Sequence, residues 1–124
     1  MNLKKYYMSL LSASSELKAL IGDNNIVSAY PQEVKTFPLV IFEDINSSDV
    51  SFADNIPHGT SASVRIHIFS KTIKGYAKVE SIAEVVRSIF RNDFWTMNNN
   101  IEMSDVQDNV KHRTMDFSRE FYSL

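Results

Sequence analysis

Cysteine is absent from this chain, and glycine and proline occur only three times each. Without cysteine there is no disulfide staple, no thiolate nucleophile and no thiolate metal ligand, which is compatible with a reducing compartment. Three scattered glycines (Gly22, Gly59 and Gly75) build no phosphate-cradling loop, and no Gly-x-Ser-x-Gly turn positions a nucleophilic serine. No apolar run approaches the ~18–20 residues that span a bilayer. The weakly basic start, Met1-Asn2-Leu3-Lys4-Lys5-Tyr6, lacks the apolar core of about 7–15 residues that marks a signal peptide. The expectation is a soluble protein that touches no membrane and is not exported by that route. One further absence is local: between Lys35 and Arg65 there is no lysine or arginine, while Glu43, Asp44, Asp49 and Asp54 fall in that interval.

What is present suffices for one core. The 124 residues are 44% hydrophobic and 11% aromatic, too apolar for a disordered chain and of the length of a single domain covering 1–124. The formal net charge of −2 gives no whole-molecule attraction to nucleic acid. Charge is nevertheless patchy. Between Arg65 and Arg91 six basic residues face only Glu80 and Glu84. Such segregation suits complementary partner surfaces, and it equally describes solvated faces.

Periodicity outlines the elements. Leu3, Tyr7, Leu10 and Leu11 share a helical face over residues 2–12. Ser14 or Ser15 caps a second short turn carrying Leu17, Leu20 and Ile21, stopped by Gly22. A short apolar piece, 26–30, ends at Pro31. Phe37-Pro38-Leu39-Val40-Ile41-Phe42 is apolar on both faces, as a covered strand is. Residues 46–60 are predicted as a long polar connection in which Val50, Phe52 and Ile56 recur. Loops of that length are uncommon unless functional; the apolar residues either dock on a partner, pin the segment to its own domain, or belong to a hairpin extension. Val64, Ile66 and Ile68 alternate with Arg65, His67 and Phe69. A helix follows from Gly75 to Arg91 on Ala77, Val79, Ile82, Ala83, Val86, Ile89 and Phe90. Two strands flank or span Asn98-Asn99-Asn100. A last strand, 112–122, returns after a turn at Gln107-Asp108-Asn109. The order α-β-β-β-α-β-β predicts an α+β fold: a mostly antiparallel sheet with two main helices packed on one face.

Chemistry is sparse. His58, His67 and His112 have no metal-ligand spacing, and His67 alternates with core residues as a structural or interface side chain does. Adjacent Glu43 and Asp44 point to opposite faces of a strand, a poor geometry for an acid pair. Lys71, Lys74 and Lys78, with Tyr76 among them, form a basic cluster that either touches phosphate or is a solvated helix face. Trp95 reads as a packing residue. No catalytic, metal or cofactor residue is assigned, and the chain is not expected to be an enzyme.

The sequence of motifs resembles the tail completion or tail terminator proteins of long-tailed bacteriophages. The likeness is carried by Leu10-Leu11, Leu17, Leu20-Ile21-Gly22-Asp23 and Ala29-Tyr30-Pro31. It continues through Phe37-Pro38-Leu39-Val40-Ile41-Phe42 and Val64-Arg65-Ile66-His67-Ile68-Phe69-Ser70, then Gly75 with the Val79/Ile82/Ala83/Val86 helix, and ends on Arg113-Thr114-Met115-Asp116-Phe117. The resemblance implies a non-enzymatic component of the virion tail, assembled in the bacterial cytoplasm of a phage or prophage host. It also implies a ring, often a hexamer, that stops tail-tube growth and binds the tube protein on one side and a head-completion or connector protein on the other. DNA would cross its lumen without specific binding. The residues expected at interfaces are Asp49, Val50, Phe52, Asp54 and Ile56 in the acidic segment and Lys71, Lys74 and Lys78 in the basic one. Two other readings remain: an adaptor domain binding partners through its sheet edge and the 46–60 segment, and an enzyme or ligand-binding domain with a concave polar pocket.

Overall fold

The computed structural model describes residues 2–28, 34–53, 56–103 and 109–122, and for 46–53 and 56–58 the backbone alone. Helix α1 (Leu3–Ser12) starts where the Asn2 side chain accepts from the Lys5 N–H at 3.1 Å, a cap for an otherwise orphaned donor. Leu3, Tyr7 and Leu11, spaced by four, form its buried stripe. Ser14 caps α2 (Ser15–Ile21) in the same way through the Leu17 N–H. Gly22 then ends α2 at φ 91°, a left-handed position that a side chain would strain.

Five strands follow. β1 (Ile26–Val27) pairs parallel to β2 (Leu39–Ala53); β2 pairs antiparallel with β3 (Ile56–Lys71); β5 (Val110–Tyr122) lies on the far side of β3, and β4 (Thr96–Met103) on the far side of β5. The sheet order is therefore β1-β2-β3-β5-β4, mostly antiparallel. Helix α3 (Val79–Asn92) connects β3 to β4.

The period-2 pattern decides which face is covered. Val40 and Phe42 on β2, Ala62, Val64, Ile66 and Ile68 on β3, and Met115 and Phe117 on β5 share one buried cluster with the apolar stripes of all three helices. At about 25 cal/mol per Å² of apolar surface removed from water, this layer supplies most of the driving force. The opposite face carries a smaller cluster of Val34, Leu39, Ile41 and Phe69. Aromatic contacts tighten the main core: Phe90 stacks on Phe117 at 4.4 Å between ring centroids, and Trp95 meets Phe90 edge-on at 5.5 Å. Trp95 is indeed a packing residue. Tyr7 is fully buried, and burial pushes its phenol above the ordinary tyrosine range.

The expected α+β architecture is present, with three corrections. The short turn after Ser14 is a proper helix, so three helices rather than two pack on the sheet. Residues 46–53 and 56–60 are not an irregular connection but the hairpin extension that the sequence left open: β2 and β3 pair from Asn46↔Ser63 out to Ala53↔Ile56. Its serines and aspartates read as loop composition, but a ladder of backbone hydrogen bonds needs no apolar side chains. The long helix begins at Val79 rather than Gly75, because Gly75 sits at φ 101°, outside helical space. The Asn98-Asn99-Asn100 run is spanned by β4. Of the expected turn, Gln107 and Asp108 lie outside the described residues, as do Ala29, Tyr30 and Pro31. Asn109 is at φ 59°, and its carbonyl accepts from the Thr72 N–H at 2.8 Å.

Candidate assembly surfaces

The basic residues singled out in the sequence do come together. Lys71 ends β3, Lys74 lies in the link, and Lys78 is the residue from which α3 departs; all three line a concavity of about 570 Å³ with Ile73, Tyr76 and Val79. Ser70 Oγ donates to the Ala77 carbonyl at 2.6 Å, fixing the link against the end of the sheet. Lys71 Nζ lies 5.4 Å from the Phe37 ring centroid and 5.9 Å from that of Tyr76. A fourth lysine, Lys111, is taken up by Glu80 at 2.9 Å and Glu102 at 3.4 Å. The hydrogen bond from Lys111 holds the Glu80 carboxyl below its usual range. Lys78 gives α3 no side-chain cap, so the positive end of the helix dipole adds to the lysines. The concavity therefore has an apolar floor and a cationic rim.

The acidic residues lie at the other end of the same strand. β3 pairs with β5 only as far as Gly59↔Tyr122, while β2 and β3 continue through Val50↔Gly59, Phe52↔Pro57 and Ala53↔Ile56. Among the described residues this extension is two-stranded. Asp49, Val50 and Phe52 lie on its β2 arm and Ile56 on its β3 arm; Asp54 lies outside the described residues. Isolated two-stranded ribbons are marginal in water, so a projecting one gains most by docking. With β3 sixteen residues long and rising ~3.3 Å per residue, the hairpin and the lysine concavity stand roughly 50 Å apart. One subunit cannot bring its own two surfaces together.

Near the hairpin end, Asp93 gathers three elements. Its carboxylate accepts from the Tyr6 hydroxyl of α1 and from Trp95 Nε1 at 3.0 Å, and pairs with Arg119 of β5 at 3.1 Å. Arg119 also donates to the Asp93 carbonyl at 2.5 Å. Burial, then the hydrogen bond to Asp93, pushes the Tyr6 phenol up to about 12. The next residue, Phe94, is held at φ 67° and is 81% exposed. A bulky residue in the left-handed region costs of order 1–3 kcal/mol; here the turn closes α3, with the Phe94 N–H on the Arg91 carbonyl at 3.0 Å and the Trp95 N–H on the Phe90 carbonyl at 2.9 Å. Sequence reading passed over Phe94, since nothing in the sequence marks a positive φ at a phenylalanine.

The sheet face away from the helices carries a polar ladder. Arg65 and Asp116, cross-strand partners, form a two-pronged pair at 2.8 and 3.1 Å. His67 Nδ1 lies 3.0 Å from His112 Nε2, its Nε2 meets Glu43, and Phe69 stacks on His112 at 3.9 Å. The alternation of Arg65, His67 and Phe69 predicted this face, and His67 is structural there. Among the described residues, no group of three or more His, Asp or Glu is placed to hold a metal.

Burial lowers the His67 pKa below 6.5, against the opposing pull of Glu43, with His112 and Arg65 adding to the lowering. The unfolded chain then binds more protons than the folded one as pH falls below 6.5, and stability declines down to the folded pKa. Each pH unit in that window removes at most about 1.4 kcal/mol. Urea midpoints at pH 7.5 and 5.5 are expected to differ in that direction, and the difference is expected to shrink in His67→Gln; an unchanged difference would assign the pH effect to other groups.

Residues 8–118 match the family described as Tail completion protein gp17. Among solved structures, a chain in the virion of a native gene transfer agent (GTA) particle is similar in fold: TM-score 0.67 and 14% identity, covering 98% of this chain and 95% of that one. No curated protein matches.

Proposed function

From its membership of the Tail completion protein gp17 family, which makes this chain a structural protein of the phage tail, we propose that it caps the tail tube, ends its growth and joins the tail to the head connector as a ring. Residues 1–124 act as one domain in this role, with no catalytic step. The observation that carries the reading is the separation of two unlike surfaces by the length of β3: an acidic hairpin at one end and a lysine-rimmed concavity at the other. Unlike surfaces make heterologous contacts, and such contacts close into rings when the rotation between subunits closes. The hexamer follows the family resemblance. Asp49, Val50, Phe52, Asp54 and Ile56 face a neighbouring subunit or the tube protein; Lys71, Lys74 and Lys78 form the complementary cationic surface. The connector protein binds the opposite side of the ring. DNA crosses the lumen without specific binding, in keeping with a net charge of −2.

Light scattering across a concentration series, alone and with the tube protein, tests this. A ring-sized species, or tubes of defined length, is the expected result. The double charge reversal Asp49→Lys, Asp54→Lys is expected to lose both, and to lose more at low salt, where unscreened charges steer association most. A variant that still forms rings and caps tubes would remove the hairpin from the interface.

A further inference from the structure

We propose that Phe94 is the anchor of the subunit-to-subunit contact, entering the lysine-rimmed concavity at the start of α3 on a second copy of this chain. The inference rests on the ring reading and names the residues that make the joint; the concavity then takes Phe94, and the acidic hairpin meets the tube protein or another face of the neighbour. Phe94 is an 81% exposed phenylalanine at a left-handed helix-end position that glycine usually fills, so its ring is held out into solvent by the helix stop itself. The backbone cost is offset within the subunit, because Phe94 closes the end of α3 with its own N–H on the Arg91 carbonyl and the Trp95 N–H on that of Phe90; the solvation cost is not, since Arg119, 5.8 Å from the ring centroid, leaves the ring 81% exposed. Burial in a partner recovers the solvation cost, and a rigid ring loses little side-chain entropy on binding.

The concavity fits that occupant. Its floor is apolar, with Ile73 and Tyr76 exposed by 47% and 37%. Its rim is cationic through Lys71, Lys74 and Lys78. The corner that presents Phe94 also presents the exposed carboxylate of Glu120, while Asp93 already neutralises Arg119. An apolar ring with a carboxylate beside it thus meets an apolar floor with a cationic edge. Phe94 follows the C-terminus of α3 and the concavity lies at its N-terminus, so the fourteen-residue helix holds them about 21 Å apart. Two patches so placed can engage head-to-tail, the type a ring needs, and that form is the one proposed; a reciprocal two-fold pair would stop at a dimer.

The absence of cysteine permits a direct test. In the double variant Phe94→Cys, Ile73→Cys the two thiols cannot meet within one chain, because a disulfide needs Cα atoms about 4–7 Å apart. Mild oxidation under ring-forming conditions is expected to give a covalent ladder of subunits, and neither single variant is expected to give more than a dimer. Phe94→Gly is expected to weaken self-association at least tenfold, with a melting temperature no lower than that of the parent. When Phe94→Gly is mixed with Ile73→Glu, the pair is expected to stop at heterodimers, each variant lending its one intact surface. Rings that form without cross-linking and survive Phe94→Gly would overturn this contact and leave the ring reading standing. A chain that stays monomeric even with tube protein would overturn both. A melting temperature several degrees lower in Phe94→Gly would show that the ring serves its own fold, and would also overturn the proposal.

Discussion

Replacing Phe90 by alanine is expected to cost about 3–5 kcal/mol, the range for removing a fully buried aromatic side chain. Phe90 has no exposed surface, stacks nearly parallel on Phe117 and supports the edge of Trp95. Its carbonyl accepts the Trp95 N–H at 2.9 Å, which ties the end of α3 to the chain entering β4. The two neighbouring rings, Phe117 on β5 and Trp95 on the chain entering β4, are held by different elements and cannot both collapse into the space left. A domain of this size is stable by roughly 6–19 kcal/mol, so the loss is a large share of the total. Urea unfolding followed by tryptophan fluorescence and by circular dichroism checks it: the midpoint should fall with the slope unchanged. A cost below about 1.5 kcal/mol would mean that the layer between α3 and β5 is loosely packed.

Asp93→Ala is expected to cost about 2–3 kcal/mol. The carboxylate serves the Tyr6 hydroxyl, the Trp95 indole N–H and the Arg119 guanidinium together, so its removal leaves two donors short of an acceptor and Arg119, still bonded to the residue-93 carbonyl, without its counter-charge. Breaking a fully buried pair costs more, ~3–5 kcal/mol. Here the two charged side chains keep about a quarter of their surface in solvent, 27% and 24%, which lowers the figure. Asp93→Asn should cost less, since an amide oxygen still accepts from Tyr6 or Trp95. A double-mutant cycle with Arg119→Met is the check: coupling of at least about 1 kcal/mol is expected, and strict additivity would show that the two residues act separately. The same variant should loosen the corner that presents Phe94, so assembly should weaken by more than the stability loss alone explains.

The parts of this fold that the sequence reveals are those fixed by burial. Leu3, Tyr7 and Leu11 recur at helical spacing, and Val64, Ile66 and Ile68 alternate, because each row must face the same core. These rows, with the 37–42 apolar run, were enough to place the sheet and its covering helices and to group Lys71, Lys74 and Lys78. The hairpin extension was harder to read because its ladder is made by the backbone, while Ser47, Ser48, Ser51 and Asp49 carry turn-like composition. The start of α3 was misplaced because apolar spacing continues back to Ala77, whereas the φ of Gly75 stops the helix. Phe94 and Asp93 were not legible at all. Their roles come from a single backbone dihedral and from contacts with Tyr6 and Arg119, which are far off along the chain.

The central position of β3 also sets an order of events during synthesis. One edge of β3 finds β2 at once, because the two strands are consecutive in the chain, but the other edge waits for β5, whose pairs with it run from Lys71↔Val110 to Gly59↔Tyr122. At about 5–20 residues per second, that edge stays open for a few seconds after β3 leaves the ribosome. During that interval Val64, Ile66 and Ile68 offer an apolar strand to any other nascent copy. Arg65 and the serines at 61 and 63 interrupt that strand with polar side chains, a gatekeeper pattern that protects the chain before its last strand exists.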